Sequence, residues 1–206
     1  MTAPMNPNAF RAQELSRLRD ENEALGEEVN SLRRFVKALD SLYNATDNFK
    51  DDSELFGFLR TTLNHAMELL GAPDGTLALL DEETNELVFV IVYGALSDKL
   101  TNHRIPITEG IAGWVVRHSK PTLVRDVRVD RRFYTGVDDR FAFKTQSIAA
   151  APLLGDGKVY GLVELLNKPG DEPFSATDMG ILKLFCRAAG DALAKIDNMK
   201  TDKETD

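Results

Sequence analysis

The 206-residue chain lacks most of what marks a secreted, membrane or metal-bound protein. It carries one cysteine, Cys186, which excludes a disulfide framework and a thiolate metal cluster and fits a reducing compartment. Its three histidines, His65, His103 and His118, do not have the HExxH spacing of a zinc hydrolase. No apolar run approaches the ~20 residues that span a bilayer. Residues 1–10 lack the basic start and apolar stretch of a secretory signal. The expectation is a cytoplasmic protein that does not enter a membrane. Walker and GxGxxG phosphate loops are missing, and so is a GxSxG elbow. Asp138 and Asp139 are adjacent, so their side chains diverge rather than pair for acid–base work. Nothing in these residues argues for an enzyme.

What is present is enough apolar content, 43%, for one ordinary core, and a net charge of −8. An acidic chain is a poor ligand for nucleic-acid polymers. The charge is uneven, however. Residues 99–144 carry ten basic and five acidic side chains, a local +5 that favours a small anion; solvated loop charges are the plainer reading.

Toward the N-terminus the apolar residues repeat by sevens. Leu15, Leu18, Asn22, Leu25, Val29, Leu32, Val36, Leu39 and Tyr43 alternate in steps of three and four, which stacks them along one helical stripe. With Leu15 at position a, leucines fall at d. Asn22 falls at a, where a buried amide costs stability but fixes register and strand number. In a parallel pair Glu14 would face Arg19, and Glu28 would face Arg33. Residues 11–48 are therefore expected to form a parallel homodimeric coiled coil through Leu18, Asn22, Leu25, Val29, Leu32, Val36 and Leu39. The alternative is one amphipathic helix packed on its own domain. Gly26 weakens the helix by about 1 kcal/mol relative to alanine. Residues 1–10 and 199–206 are expected to be disordered tails.

The remainder, 50–198, reads as one α+β domain. Capped by Asp51, Asp52 or Ser53, a helix places Leu55, Phe56, Leu59, Leu63, Met67 and Leu70 on one side. Apolar runs at 76–80 and 87–93 form a hairpin. Runs at 146–154 and 159–166 form another, joined by Asp156-Gly157. Residues 111–116 are a short helix and 122–124 a short strand. Residues 126–145 have no clean period and read as a long loop or short helix. A last helix starts at Ser175, and Cys186 falls in its apolar stripe as a packing residue.

Four stretches then resemble a GAF domain over about residues 50–198. They are Gly110-Ile111-Ala112-Gly113-Trp114-Val115, residues 121–127, residues 147–153, and residues 161–168 closing with Phe174 and Asp178. Phe133-Tyr134-Thr135-Gly136-Val137-Asp138-Asp139, and the signature Asn167, Lys168, Phe174, Asp178, are similar to the regulatory GAF domains of cyclic-nucleotide phosphodiesterases and adenylate cyclases. The resemblance implies a six-stranded antiparallel sheet flanked by helices, with a small-molecule pocket on one face. It implies that Ile111 and Ala112 offer backbone N–H groups to a cyclic phosphate at a helix N-terminus. It implies that Tyr93 stacks on a base, and that Thr76, Asp138, Thr145 and Glu164 are polar pocket residues. It further implies an ion pair between Lys168 and Asp178, although Asp178 also reads as a first-turn carboxylate three residues after the cap Ser175. Gly94 and Phe141 depart from the pattern, which bears on purine choice. A bilin attachment or a sulfoxide reductase would need cysteines that are absent. The expectations are a dimeric, non-enzymatic sensor of a small molecule, cyclic AMP or cyclic GMP first, without cofactor or metal and acting on a protein partner in trans. The competing reading is a ligand-free dimerisation scaffold.

Overall fold

The computed structural model describes residues 7–45, 52–170 and 173–205. The chain divides between Asp40 and Ser41 into two compact units. The first is carried by helix α1, Pro7–Ala45, which runs unbroken past that division and begins inside the stretch expected to be a tail. Along it Leu15, Leu18, Leu25, Val29, Leu32 and Val36 are all exposed, Val36 by 63%. Asn22 is exposed on the same stripe and Leu39 is half-buried. The side chain of Tyr43 lies outside the described residues.

The second unit is built on six strands: β1 (Asp74–Asp81), β2 (Glu86–Tyr93), β3 (Arg104–Pro106), β4 (Thr122–Val124), β5 (Ile148–Gly155) and β6 (Lys158–Leu166). They form one antiparallel sheet in the order β3-β2-β1-β6-β5-β4. Helices α2 (Asp52–Leu70) and α6 (Ala176–Thr205) pack on one face and on each other. Short helices α3 (Ser97–Leu100), α4 (Gly110–His118) and α5 (Gly136–Phe141), with the 3₁₀ turn Val127–Val129, belong to the other side. This is the α+β fold implied by the family resemblance.

Alternation in the strands explains the two faces. Leu77, Val163 and Leu165 are buried on the α2/α6 side. Ala78, Leu162 and Leu166 pack on the α4 side in a second apolar cluster with Phe89, Ile111, Val115 and Ile148. Helix α6 crosses the end of β5 closely: a Cβ on Gly155 would collide with the backbone of Gly190, and a Cβ on Gly190 with the backbone of Leu154. The glycines set that close approach.

Several sequence expectations shift. The apolar pattern showed five strands; β3 is three residues with one buried side chain, too short for periodicity to register. In α2 Phe58 is buried while Phe56 is 40% exposed. Helix α6 continues through Thr205 rather than ending near 198, because no Gly or Pro follows Gly190 to stop it. Residues 126–145 hold both a 3₁₀ turn and α5.

Candidate functional site

On the α4 side the sheet encloses a cavity of about 70 Å³. Six of the seven expected ligand residues line it: Thr76 and Glu164 on the strands, Ile111 and Ala112 at the start of α4, Asp138 on α5 and Thr145 ahead of β5. The antiparallel register places Thr76 directly opposite Glu164. Both side chains therefore emerge on one face of the sheet and form the cavity floor. Thr76 is 3% exposed, and its Oγ1 is buried without a hydrogen-bond partner. Burial raises the Glu164 carboxyl from 4.5 to about 7, since an ionised group there would lose its hydration.

Tyr93 is not part of this cavity. A β-bulge lies opposite Leu77 and Ala78, which pair with Ile91 and Phe89 and leave Val90 as the extra residue. The bulge inverts the alternation of β2. Leu87, Phe89 and Val92 belong to the cavity-side cluster. Tyr93 pairs with Gly75, whose absent Cβ would point at Met67 of α2. The base-stacking assignment of Tyr93 is thus corrected; the aromatic of β2 at the cavity is Phe89. The sequence carries no signal for the bulge.

The start of α4 opens on the cavity. Glu109 precedes it with extended backbone and no side-chain cap, so the N–H groups of Ile111 and Ala112 head the helix uncapped. Opposite them, Phe133, Val137 and Phe143 fill space that a ligand would take. Phe141 packs against the same cluster and meets the edge of His103 at a ring distance of 5.4 Å. Burial and the nearby Arg140 hold His103 below its ordinary pKa.

Asp138 and Thr145 close the cavity wall. Thr145 donates from its backbone N at 2.8 Å and from Oγ1 at 2.7 Å to the two oxygens of Asp138. Thr145 is itself held by its neighbours. Asn167 accepts from the Gln146 N–H at 2.7 Å and donates to the Lys144 carbonyl at 3.0 Å. It does so from φ +58°, a conformation asparagine tolerates well. The clamp by Asn167 is a site feature that its place in the signature alone did not define.

Next in the chain, Lys168 Nζ lies 2.8 Å from Asp178 Oδ2, and the two side chains are 23% and 13% exposed. Asp178 also accepts from the Ser175 N–H while Ser175 Oγ accepts from the Asp178 N–H. Ion pair and capping box, alternatives in the sequence, coexist. Burial works against the Asp178 carboxylate, but the hydrogen bonds from Lys168 and Ser175 outweigh it and hold the group below the usual range.

Outside the Asp138–Thr145 wall lies a larger cleft of about 550 Å³, which shares Phe133, Asp138 and Thr145 with the inner cavity. Among the described residues no group of His, Cys, Asp and Glu could hold a metal. Cys186 is fully buried, its thiol pushed well up by desolvation, so it serves packing.

Comparison with known proteins agrees with this architecture. The GAF domain family model matches residues 54–194, and the chain belongs to the GAF domain family. Among solved structures it is similar to the GAF domain of a phosphoenolpyruvate-protein phosphotransferase from Coxiella burnetii. That match has a TM-score of 0.70 at 15% identity and covers 84% of this chain and 99% of that one. It is also similar to a free methionine-R-sulfoxide reductase from Neisseria meningitidis, with a TM-score of 0.60 at 20% identity, covering 77% and 89%. Among curated proteins it is 26% identical over 154 residues to a probable 3',5'-cyclic phosphodiesterase, pde-5, of Caenorhabditis elegans, covering 70% of this chain and 21% of that protein. It is 29% identical over 93 residues to the dual 3',5'-cyclic-AMP and -GMP phosphodiesterase 11A of Takifugu rubripes, covering 44% and 10%. The chain thus spans about a fifth of the first of these relatives and a tenth of the second. No helix among the described residues is long and apolar enough to cross a membrane.

Proposed function

We propose that the domain is a sensor that binds a small molecule in the inner cavity, and that the chain acts as a parallel dimer through α1 on a protein partner in trans. The observation that carries this reading is the unpartnered Thr76 Oγ1, 3% exposed, in the cavity on which the uncapped start of α4 opens. A buried hydroxyl without a partner costs about 1–3 kcal/mol, and a ligand group that supplies the missing bond recovers it. A cyclic purine nucleotide is the first ligand to test. It suits a helix N-terminus as an anion, and cyclic-nucleotide phosphodiesterases are among the relatives.

A cavity of about 70 Å³ is well below the roughly 300–1,000 Å³ of ligand pockets. Binding therefore requires the segment carrying Phe133, Val137 and Phe143 to move outward. No catalytic step belongs to this reading. Calorimetric titration of the full chain with cyclic AMP and cyclic GMP tests it. The expected result is saturable binding to one of them that Thr76→Val weakens. Absence of heat at about 1 mM of either, near the weak end of useful affinity, removes the nucleotide. The small cavity volume favours the second reading, a ligand-free dimerisation scaffold, and that reading then takes its place.

A further inference from the structure

The outer cleft has a use that the inner cavity does not require. Its walls come from three segments, the turn after β4, the stretch from Phe133 to Asp138 and the one before β5, and they carry Arg125, Arg128 and Lys144 against Asp126, Asp130 and Asp138. Each acid is already engaged. Asp126 is bound at both oxygens by Arg128, at 2.8 and 2.7 Å. Asp130 is bound at both oxygens by Arg132, at 2.9 and 2.7 Å, and that guanidinium also reaches Thr122 and lies over the Trp114 ring. Both oxygens of Asp138 accept from Thr145. Arg128 and Arg132 thus neutralise their own acids. Arg125 and Lys144 meet no carboxylate among the described residues and keep their charge for the cleft.

The backbone that bears these two cations is fixed. The Val127 N–H donates to the Gln146 carbonyl at 3.0 Å, which ties the segment after β4 to the one before β5. Asn167 holds the second segment through Lys144 and Gln146. Two cations on backbone held in this way lose less entropy on meeting an anion than cations on a free loop. Phe133, on the same wall, adds an apolar surface beside them.

We propose that the outer cleft is a second ligand site, for a phosphate-bearing small molecule whose dianion bridges Arg125 and Lys144. Because Phe133, Asp138 and Thr145 belong to both spaces, an occupant presses directly on the wall of the inner cavity. The site stands whether or not the inner cavity takes a nucleotide.

The test is calorimetry of the full chain at low salt with inorganic phosphate and with phenyl phosphate. The expected result is saturable binding near about 1 mM. Replacing both cations, Arg125→Ala with Lys144→Ala, should weaken it by about tenfold or more, and Thr76→Val should leave it unchanged. Circular dichroism should show the double variant folded, since neither cation is buried; Arg125→Lys alone, which keeps the charge, should retain most of the affinity. Phenyl phosphate binding more tightly than inorganic phosphate assigns a phosphomonoester held against Phe133. Equal affinities assign free phosphate, and either supports the site. No saturable heat, or equal affinity in the double variant, overturns the proposal. Loss of binding in Thr76→Val instead places the anion in the inner cavity and overturns it too, while supporting a sensor there.

Discussion

Thr76 and Glu164 face each other across β1 and β6, both buried, on the floor of one small cavity. Neither residue packs as an apolar side chain would, and their juxtaposition makes the cavity floor costly in the absence of a ligand. Two measurable consequences come from it.

The first concerns pH. The Glu164 carboxyl rises from 4.5 in the unfolded chain to about 7 in the fold. Its contribution is therefore most favourable to folding at low pH and is lost as pH rises through about 7, where burying the ionised group costs about 3 kcal/mol. Glu164→Gln cannot ionise. Urea denaturation should show the variant gaining about 2–3 kcal/mol on the parent between pH 5 and pH 8. Parallel pH profiles for the two proteins would mean that the carboxyl is solvated in solution.

The second concerns Thr76→Val, which keeps the shape and removes the unpartnered hydroxyl. It should raise stability by about 1 kcal/mol in the absence of ligand. A loss of similar size would show that Oγ1 is satisfied in solution, for instance by a bound water.

The pair Lys168–Asp178 lies between an exposed bridge and a buried one. Lys168→Ala should cost about 2 kcal/mol, above the ~1 of surface pairs and below the 3–5 of fully buried ones. The double change Lys168→Met with Asp178→Leu should recover part of this. About 1 kcal/mol should stay lost, because Asp178 also satisfies the Ser175 N–H at the start of α6. A double-mutant cycle by chemical denaturation measures both, and strict additivity of the single changes would show no coupling.

At Asn167 the backbone and the side chain can be separated. Asn167→Gly removes two hydrogen bonds but suits φ +58°, whereas Asn167→Ala removes the bonds and strains the backbone. Alanine should be the more destabilising by about 1 kcal/mol. Equal thermal stabilities would mean that the left-handed backbone relaxes.

For α1 the exposed stripe from Leu15 to Val36 is the measurable feature. Sedimentation at micromolar concentration should give a dimer. Asn22→Val should tighten it and broaden the distribution of oligomers, as removal of a buried amide does in parallel coiled coils. A monomer refutes the dimer, and an unchanged distribution refutes the placement of Asn22.

What the sequence determined by itself is what local chemistry and linear spacing encode. The heptad stripe of α1, the hairpin at Asp156-Gly157 and the Ser175 start of α6 are all contained within a few turns or strands of chain. Six pocket residues were legible through family motifs, as was the partnership of Lys168 with Asp178. Tertiary structure decided what depends on register and on segments remote in sequence. One bulged residue, Val90, turns Tyr93 away from the cavity and brings Val92 toward it, since side chains alternate with a period of two and any insertion inverts them. The three-residue β3 exists because β2 offers it an edge. Arg125 and Lys144, 19 residues apart in a charge-rich stretch, face one cleft because the packing of β4 against β5 and the clamp by Asn167 bring their backbones together. Composition counted those charges; only the fold showed which of them its own carboxylates had already neutralised.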